Sequence, residues 1–177
     1  MTTIPAGTYD IEPSHSEVGF TVRHAGISKV RGQFTEFAGE LTVAENFLES
    51  SARVTIQSAS VDTRDANRDN HLRSADFWDA ENNPEWTFVS TSVEGDPAEF
   101  VLHGDLTING VTKQVDLAVE FNGAATDPFG QARIGFSAKT TISRKEFGLT
   151  WNAALETGGV LVSDKVTIAI EVEATPR

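Results

Sequence analysis

The chain contains four imidazoles, His15, His24, His71 and His103, and no cysteine. Nucleophilic, acid–base or metal chemistry must therefore be built from histidines, hydroxyls and carboxylates. Ser14-His15-Ser16, with Asp10 close by, puts hydroxyls beside an imidazole, the residue types of a nucleophile and its base. Neighbours on an extended segment point to opposite sides, and no G-x-S-x-G elbow occurs. This cluster reads as turn hydrogen bonding at a strand entry. No H-x-H or H-E-x-x-H spacing brings two histidines to one metal. Asp65, Asn67 and Asp69 fall at the first three ligand positions of a calcium loop, and Asp76 ends it. Against calcium, Asn70 replaces the turn glycine, Asp76 is shorter than the usual glutamate, and Arg68 and Arg73 lie inside the window. The window is expected to be a helix that binds no metal.

The elements that must position these residues follow a period of two. Val166, Ile168, Ile170 and Val172 alternate with polar or small residues, as expected of a half-buried strand. The same alternation runs through Val18/Phe20/Val22, Val54/Ile56, Trp86/Phe88, Phe100/Leu102, Leu106/Ile108, Val115/Leu117/Val119/Phe121 and Ile134/Phe136/Ala138. Asn109-Gly110 between Ile108 and Val111 predicts a two-residue hairpin, because both residues accept positive φ. Phe34 and Phe37 are an odd number apart, so a bulge is expected to keep both rings on one face. About eight antiparallel strands result, forming two packed sheets or a closed barrel. Residues 62–82 are expected to include a short helix covering the sheet, with Asp69 and Arg73 as an i,i+4 pair. Ser143-Arg144-Lys145-Glu146 has the pattern of a capping box opening one helical turn.

The 177 residues make one domain the expectation, spanning 1–177. Fourteen Lys/Arg against 26 Asp/Glu give a net charge of −12, which argues against nucleic acid and against an anionic membrane surface. No apolar run approaches the roughly 20 residues of a membrane span, so stable membrane insertion is not expected. The segment from Met1 to Gly7 has neither a basic n-region nor an apolar h-region. Read as a native start, it predicts a cytoplasmic protein. Inside an eight-stranded barrel the interior is just wide enough to be filled or to hold one ligand. His24 is in phase with Val18, Phe20 and Val22, so it is expected to point inward and to need a partner.

An ordered set of short motifs runs almost from end to end. It begins with Asp10, His15-Ser16, Val18-Gly19-Phe20 and Val30-Arg31-Gly32-Gln33-Phe34, and continues with Ser60-Val61-Asp62-Thr63, Arg68-Asp69 and His71-Leu72-Arg73-Ser74-Ala75-Asp76-Phe77. Phe88, Gly104-Asp105-Leu106-Thr107-Ile108, Gly110-Val111-Thr112, Arg144 and Phe147-Gly148-Leu149-Thr150-Trp151 complete it. In this the chain resembles the YceI-like family, whose fold is an all-β, lipocalin-like antiparallel barrel that binds polyisoprenoid lipids. Trp78 stands where the family often has Phe, and Trp86 where a smaller β-former is usual.

The resemblance implies a non-enzymatic carrier with an elongated apolar tunnel for a polyprenyl or isoprenoid-quinone lipid, and no other cofactor. The expected walls are Val18, Phe20, Val22, Phe34, Trp86, Phe88, Leu117, Val119 and Phe136, with His24 as the polar head contact. Arg31, Arg144, Phe77, Trp78, Phe147 and Trp151 are the candidates for the mouth. A homodimer is left open. Two other readings stand beside the carrier. One is a small enzyme using His24 or His71 as general acid–base; the other is a filled barrel whose outer face meets a partner.

Overall fold

The computed structural model describes residues 2–153, 155 and 161–177. Eleven strands form one antiparallel sheet: β1 Gly7–Ile11, β2 Glu17–His24, β3 Ser28–Phe34, β4 Phe37–Val43, β5 Ser51–Gln57, β6 Val61–Asp62, β7 Glu85–Gly95, β8 Glu99–Ile108, β9 Val111–Thr126, β10 Ala132–Ser143 and β11 Val162–Pro176. Six of these segments are the halves of three interrupted strands. β11 pairs with β2 along one part of its length and with β1 along the next, so β1 and β2 are one strand broken by the helical turn Pro13–His15. β3 and β4 likewise lie consecutively against β2 and β1, and β5 and β6 against β4 and β3. The result is a closed eight-stranded up-and-down barrel in which each strand pairs with the next and β11 closes on the first. Closure removes free sheet edges.

The Asn109-Gly110 turn forms as expected: Ile108 faces Val111, and φ is 52° and 75° at the two turn residues. The expected bulge between Phe34 and Phe37 is instead a break between β3 and β4. At the break, Thr35 N–H and Glu36 N–H donate to the Ser60 carbonyl and to Ser60 Oγ. Residues 62–82 contain α1, Ala66–Arg73, with Asp65 as its N-cap accepting from Asn67 and Arg68 N–H. The expected Asp69–Arg73 pair does not form. Asp69 is buried and accepts from Thr63 N–H and Thr63 Oγ1, while Arg73 donates to the Ala59 and Val61 carbonyls. The capping box at Ser143 is also replaced. The turn Arg144–Phe147 forms, but Ser143 Oγ donates to Asp164, whose carboxylate also accepts from Lys145 N–H.

Because the strands alternate in direction, one end of the barrel carries the β2–β3 turn, residues 63–84 with α1, the Asn109-Gly110 turn and the turn Arg144–Phe147. The other end carries both chain termini and the connections 44–50, 96–98 and 127–131. The first end is covered. Asn109 Nδ2 donates to the Phe77 carbonyl at 2.7 Å, and the His71 and Trp151 rings meet edge to face at 4.7 Å.

Candidate functional site

Two cavities lie in line within the barrel. The larger, about 180 Å³, sits beneath the covered end and is walled by Val18, Phe20, Val22, Phe34, Trp86, Phe88 and Leu117. Phe77, Trp78 and Leu72 enter it from the cover, and Arg144 from the last connection. The smaller, about 110 Å³, is walled by Val119, Phe136, Phe47, Phe100 and Ile4, among others. Ile11, Val54, Phe88, Leu117, Ile170 and Val172 belong to both walls, so the two spaces adjoin at mid-barrel. Most of the remaining wall is aliphatic, including Val166, Ile168, Ile170 and Val172 of β11. The period of two in β11 already marks those four as one face.

An aromatic cluster crowds the upper cavity. Trp86 meets Phe34 edge to face at 5.0 Å and Trp78 at 4.8 Å, and Phe20 packs on Phe34 at 5.7 Å. Glycines make room for two of the other rings. A Cβ on Gly32 would lie 2.3 Å from the Phe20 ring, and one on Gly104 would lie 2.4 Å from the Phe88 ring. Trp78 and Trp86 are both buried, and neither indole Nε1 finds an acceptor among the described residues. A buried donor without a partner is costly; with Asn109 Oδ1 of the turn above, these are the buried polar side-chain atoms left unsatisfied among the described residues.

The polar residues named from the sequence lie elsewhere. His24, expected to face inward, is exposed and belongs to neither wall. It is the last residue of β2, opposite Ser28 at the turn. Arg31 is exposed on β3 opposite Thr21 and does not reach the cavity. Arg144 lines the cavity but is spent on structure. It is 3% exposed and donates to the carbonyls of Ser163, Leu149, Trp151 and Val162. Burial lowers its pKa, with Asp164 pulling the other way. Phe147 is fully buried, and Trp151 packs on Phe77 and His71 outside both walls.

No imidazole enters either wall among the described residues. His71 Nε2 pairs with Asp76 at 2.8 Å, and His15 Nδ1 with Glu12 at 2.9 Å. His103 lies between Asp116 and Glu94, at 2.5 and 3.2 Å. Neither His24 nor His71 lines either cavity. No described helix is long and apolar enough to cross a membrane.

A closed eight-stranded antiparallel barrel with an apolar interior and a helical cover defines an all-β, lipocalin-like protein. The YceI-like domain matches residues 9–174, and the chain belongs to that family. It is 45% identical over 141 residues to Protein YceI of Escherichia coli O157:H7, covering 79% of this chain and 74% of the relative. A UPF0312 protein of Staphylococcus epidermidis is 39% identical over 167 residues, 93% of this chain and 95% of the relative. Among solved structures, the Campylobacter jejuni YCEI protein superposes with a TM-score of 0.75 at 33% identity, covering 100% of this chain and 99% of the other. A polyisoprenoid binding domain from Saccharophagus degradans shares the fold, with a TM-score of 0.75 at 14% identity over 98% of this chain and all of the other.

Proposed function

We propose that this protein binds and carries a long apolar isoprenoid chain, of polyprenyl or isoprenoid-quinone type, within the barrel. The observation that carries the reading is the pair of adjoining cavities walled by aliphatic and aromatic side chains from end to end. Each buried CH₂ is worth roughly 0.8 kcal/mol, so a long tail gains affinity from such walls without any catalytic group. The polyisoprenoid binding of a protein with the same fold supports the choice of tail. The walls contain no imidazole among the described residues, and their one cation, Arg144, is committed to backbone carbonyls. The reading is therefore of a carrier and not an enzyme.

Organic extraction of protein purified without detergent, followed by mass spectrometry, tests it. A stoichiometric isoprenoid or other long-chain lipid is expected, with a matching adduct in the native mass. Repeated preparations without an adduct, together with failure of the stripped protein to take up a long-chain quinone, would refute the carrier.

A further inference from the structure

The chain carries 26 acidic residues, yet none lies between Glu17 and Glu36. This stretch forms β2, its turn and β3, and it holds Arg23, Lys29 and Arg31. Val18, Phe20 and Val22 face the cavity, which puts Arg23 on the outer face of β2. On β3, Phe34 lines the cavity and Gly32 lies under the Phe20 ring, which puts Arg31 and Lys29 on the outer face too. The register sets Arg23 directly opposite Lys29, a like-charge pair that weakens a hairpin. Lys165, exposed on the adjoining β11 beside the cavity residue Val166, adds a fourth cation. None of the four makes an ion pair among the described residues. The nearest carboxylate on β11, Asp164, accepts from Ser143 Oγ and Lys145 N–H and attracts both Lys145 and Lys165, so it offsets part of one of the four cations. At the tip, between Gly26 and Ser28, Ile27 is 85% exposed.

We propose that this hairpin, with Lys165, docks the covered end of the barrel on an anionic lipid bilayer. A basic face whose cations make no ion pair among the described residues complements a negative surface, on a chain of net charge −12. The apolar tip selects a bilayer over a soluble polyanion, because Ile27 gains only where hydrocarbon lies beneath the charged layer. The net charge of the whole chain argues the other way, but that charge is screened beyond about 10 Å, whereas the hairpin would meet the surface at contact. The site lies at the end where Val22, Val162 and Val166 border the larger cavity, so docking would present that cavity to the membrane. This last step rests on the carrier reading; the docking surface itself does not.

Sedimentation with vesicles of phosphatidylcholine, alone or mixed with phosphatidylglycerol, tests the proposal on the full chain at about 0.1 M salt, where the screening length is about 10 Å. Each cation near an anionic surface is worth roughly a fivefold gain in partitioning. The wild-type protein is expected to prefer the mixed vesicles at least about tenfold and to lose that preference in high salt. R23E/K29E should lower partitioning more than about a hundredfold, and K165E alone about twenty-fivefold. I27S, which keeps every charge, should lower it about tenfold. Equal binding to both vesicles, or charge reversals without effect, would overturn the proposal. So would a wild-type chain left in the supernatant, and the patch would then fit an acidic protein. Uptake of a long-chain quinone from solution separates the two readings. If the wild-type chain docks but takes up nothing, the carrier fails and the docking surface stands; if the variants take up quinone normally while losing the vesicles, both hold.

Discussion

Trp78 and Trp86 stand 4.8 Å apart in the wall of the upper cavity, so both indoles should report what enters it. Trp151, packed on His71 outside the walls, should not. Titration of stripped protein with a long-chain quinone is expected to quench fluorescence saturably. Trp78→Phe and Trp86→Phe should each remove part of the response, the double variant nearly all of it, and Trp151→Phe almost none. A response that survives the double variant would place the ligand outside this cavity. The glycines beneath the rings give a second expectation. At Gly104 an added Cβ meets both the Phe88 ring and the fixed Val89 carbonyl oxygen, at 2.4 and 2.8 Å, so Gly104→Ala should cost about 1–3 kcal/mol in chemical denaturation. At Gly32 only the far edge of the Phe20 ring is met. That ring can swing into the cavity, so Gly32→Ala should weaken ligand binding more than it lowers stability. The aromatic wall was legible in the sequence because parity assigns each ring a side. The error at His24 has the same root: parity assigns a side along a regular strand but not where the strand ends, and His24 is the exposed last residue of β2.

Between strands, one polar contact on the outer face joins three neighbours. His103 of β8 is held by Asp116 of β9 and Glu94 of β7, and hydrogen bonds to these two carboxylates raise its pKa above the ordinary 6.5. A folded-state pKa above the unfolded one means that the protonated imidazole is favoured by folding. The contribution is therefore fully present below about pH 6.5 and is lost as pH rises through the raised value. The melting temperature of wild-type protein minus that of His103→Gln should be largest on the acidic side and fall toward zero on the alkaline side. A difference that is flat or that grows with pH would show that the pairing does not hold in solution. None of this could be read from the chain, since Glu94, His103 and Asp116 meet only through the register of β7, β8 and β9. The cover shows the same limit. The helix was visible from its composition, but Asp69 turns away from Arg73 to satisfy Thr63 N–H, a buried donor that only the folded chain reveals.

At the scale of the whole barrel, a period-two reading finds about eight strands, and eight is what the closed sheet contains once its interrupted strands are joined. The interruptions themselves escaped it, because the continuity of β1 with β2 is carried by β11, some 140 or more residues away in the chain. That distant strand also joins the two cavities, through Ile170 and Val172, which stand in both walls with Ile11, Val54, Phe88 and Leu117. If one long chain occupies both spaces, the passage at these residues must decide which tail lengths are held. Leu117→Trp puts a bulky ring at the junction. It should leave affinity for a short-tailed quinone within a few-fold of wild type, because the upper cavity alone can take it. Affinity for a long-tailed quinone should fall by tenfold or more, since each CH₂ kept out of the lower space forfeits roughly 0.8 kcal/mol. Val119→Trp, in the lower wall only, should likewise penalise only the long tail. Parallel titrations of short and long tails against the three proteins check this. Equal losses for both tails would mean that the ligand uses one cavity, and the lower space would then be a packing defect and not part of the site.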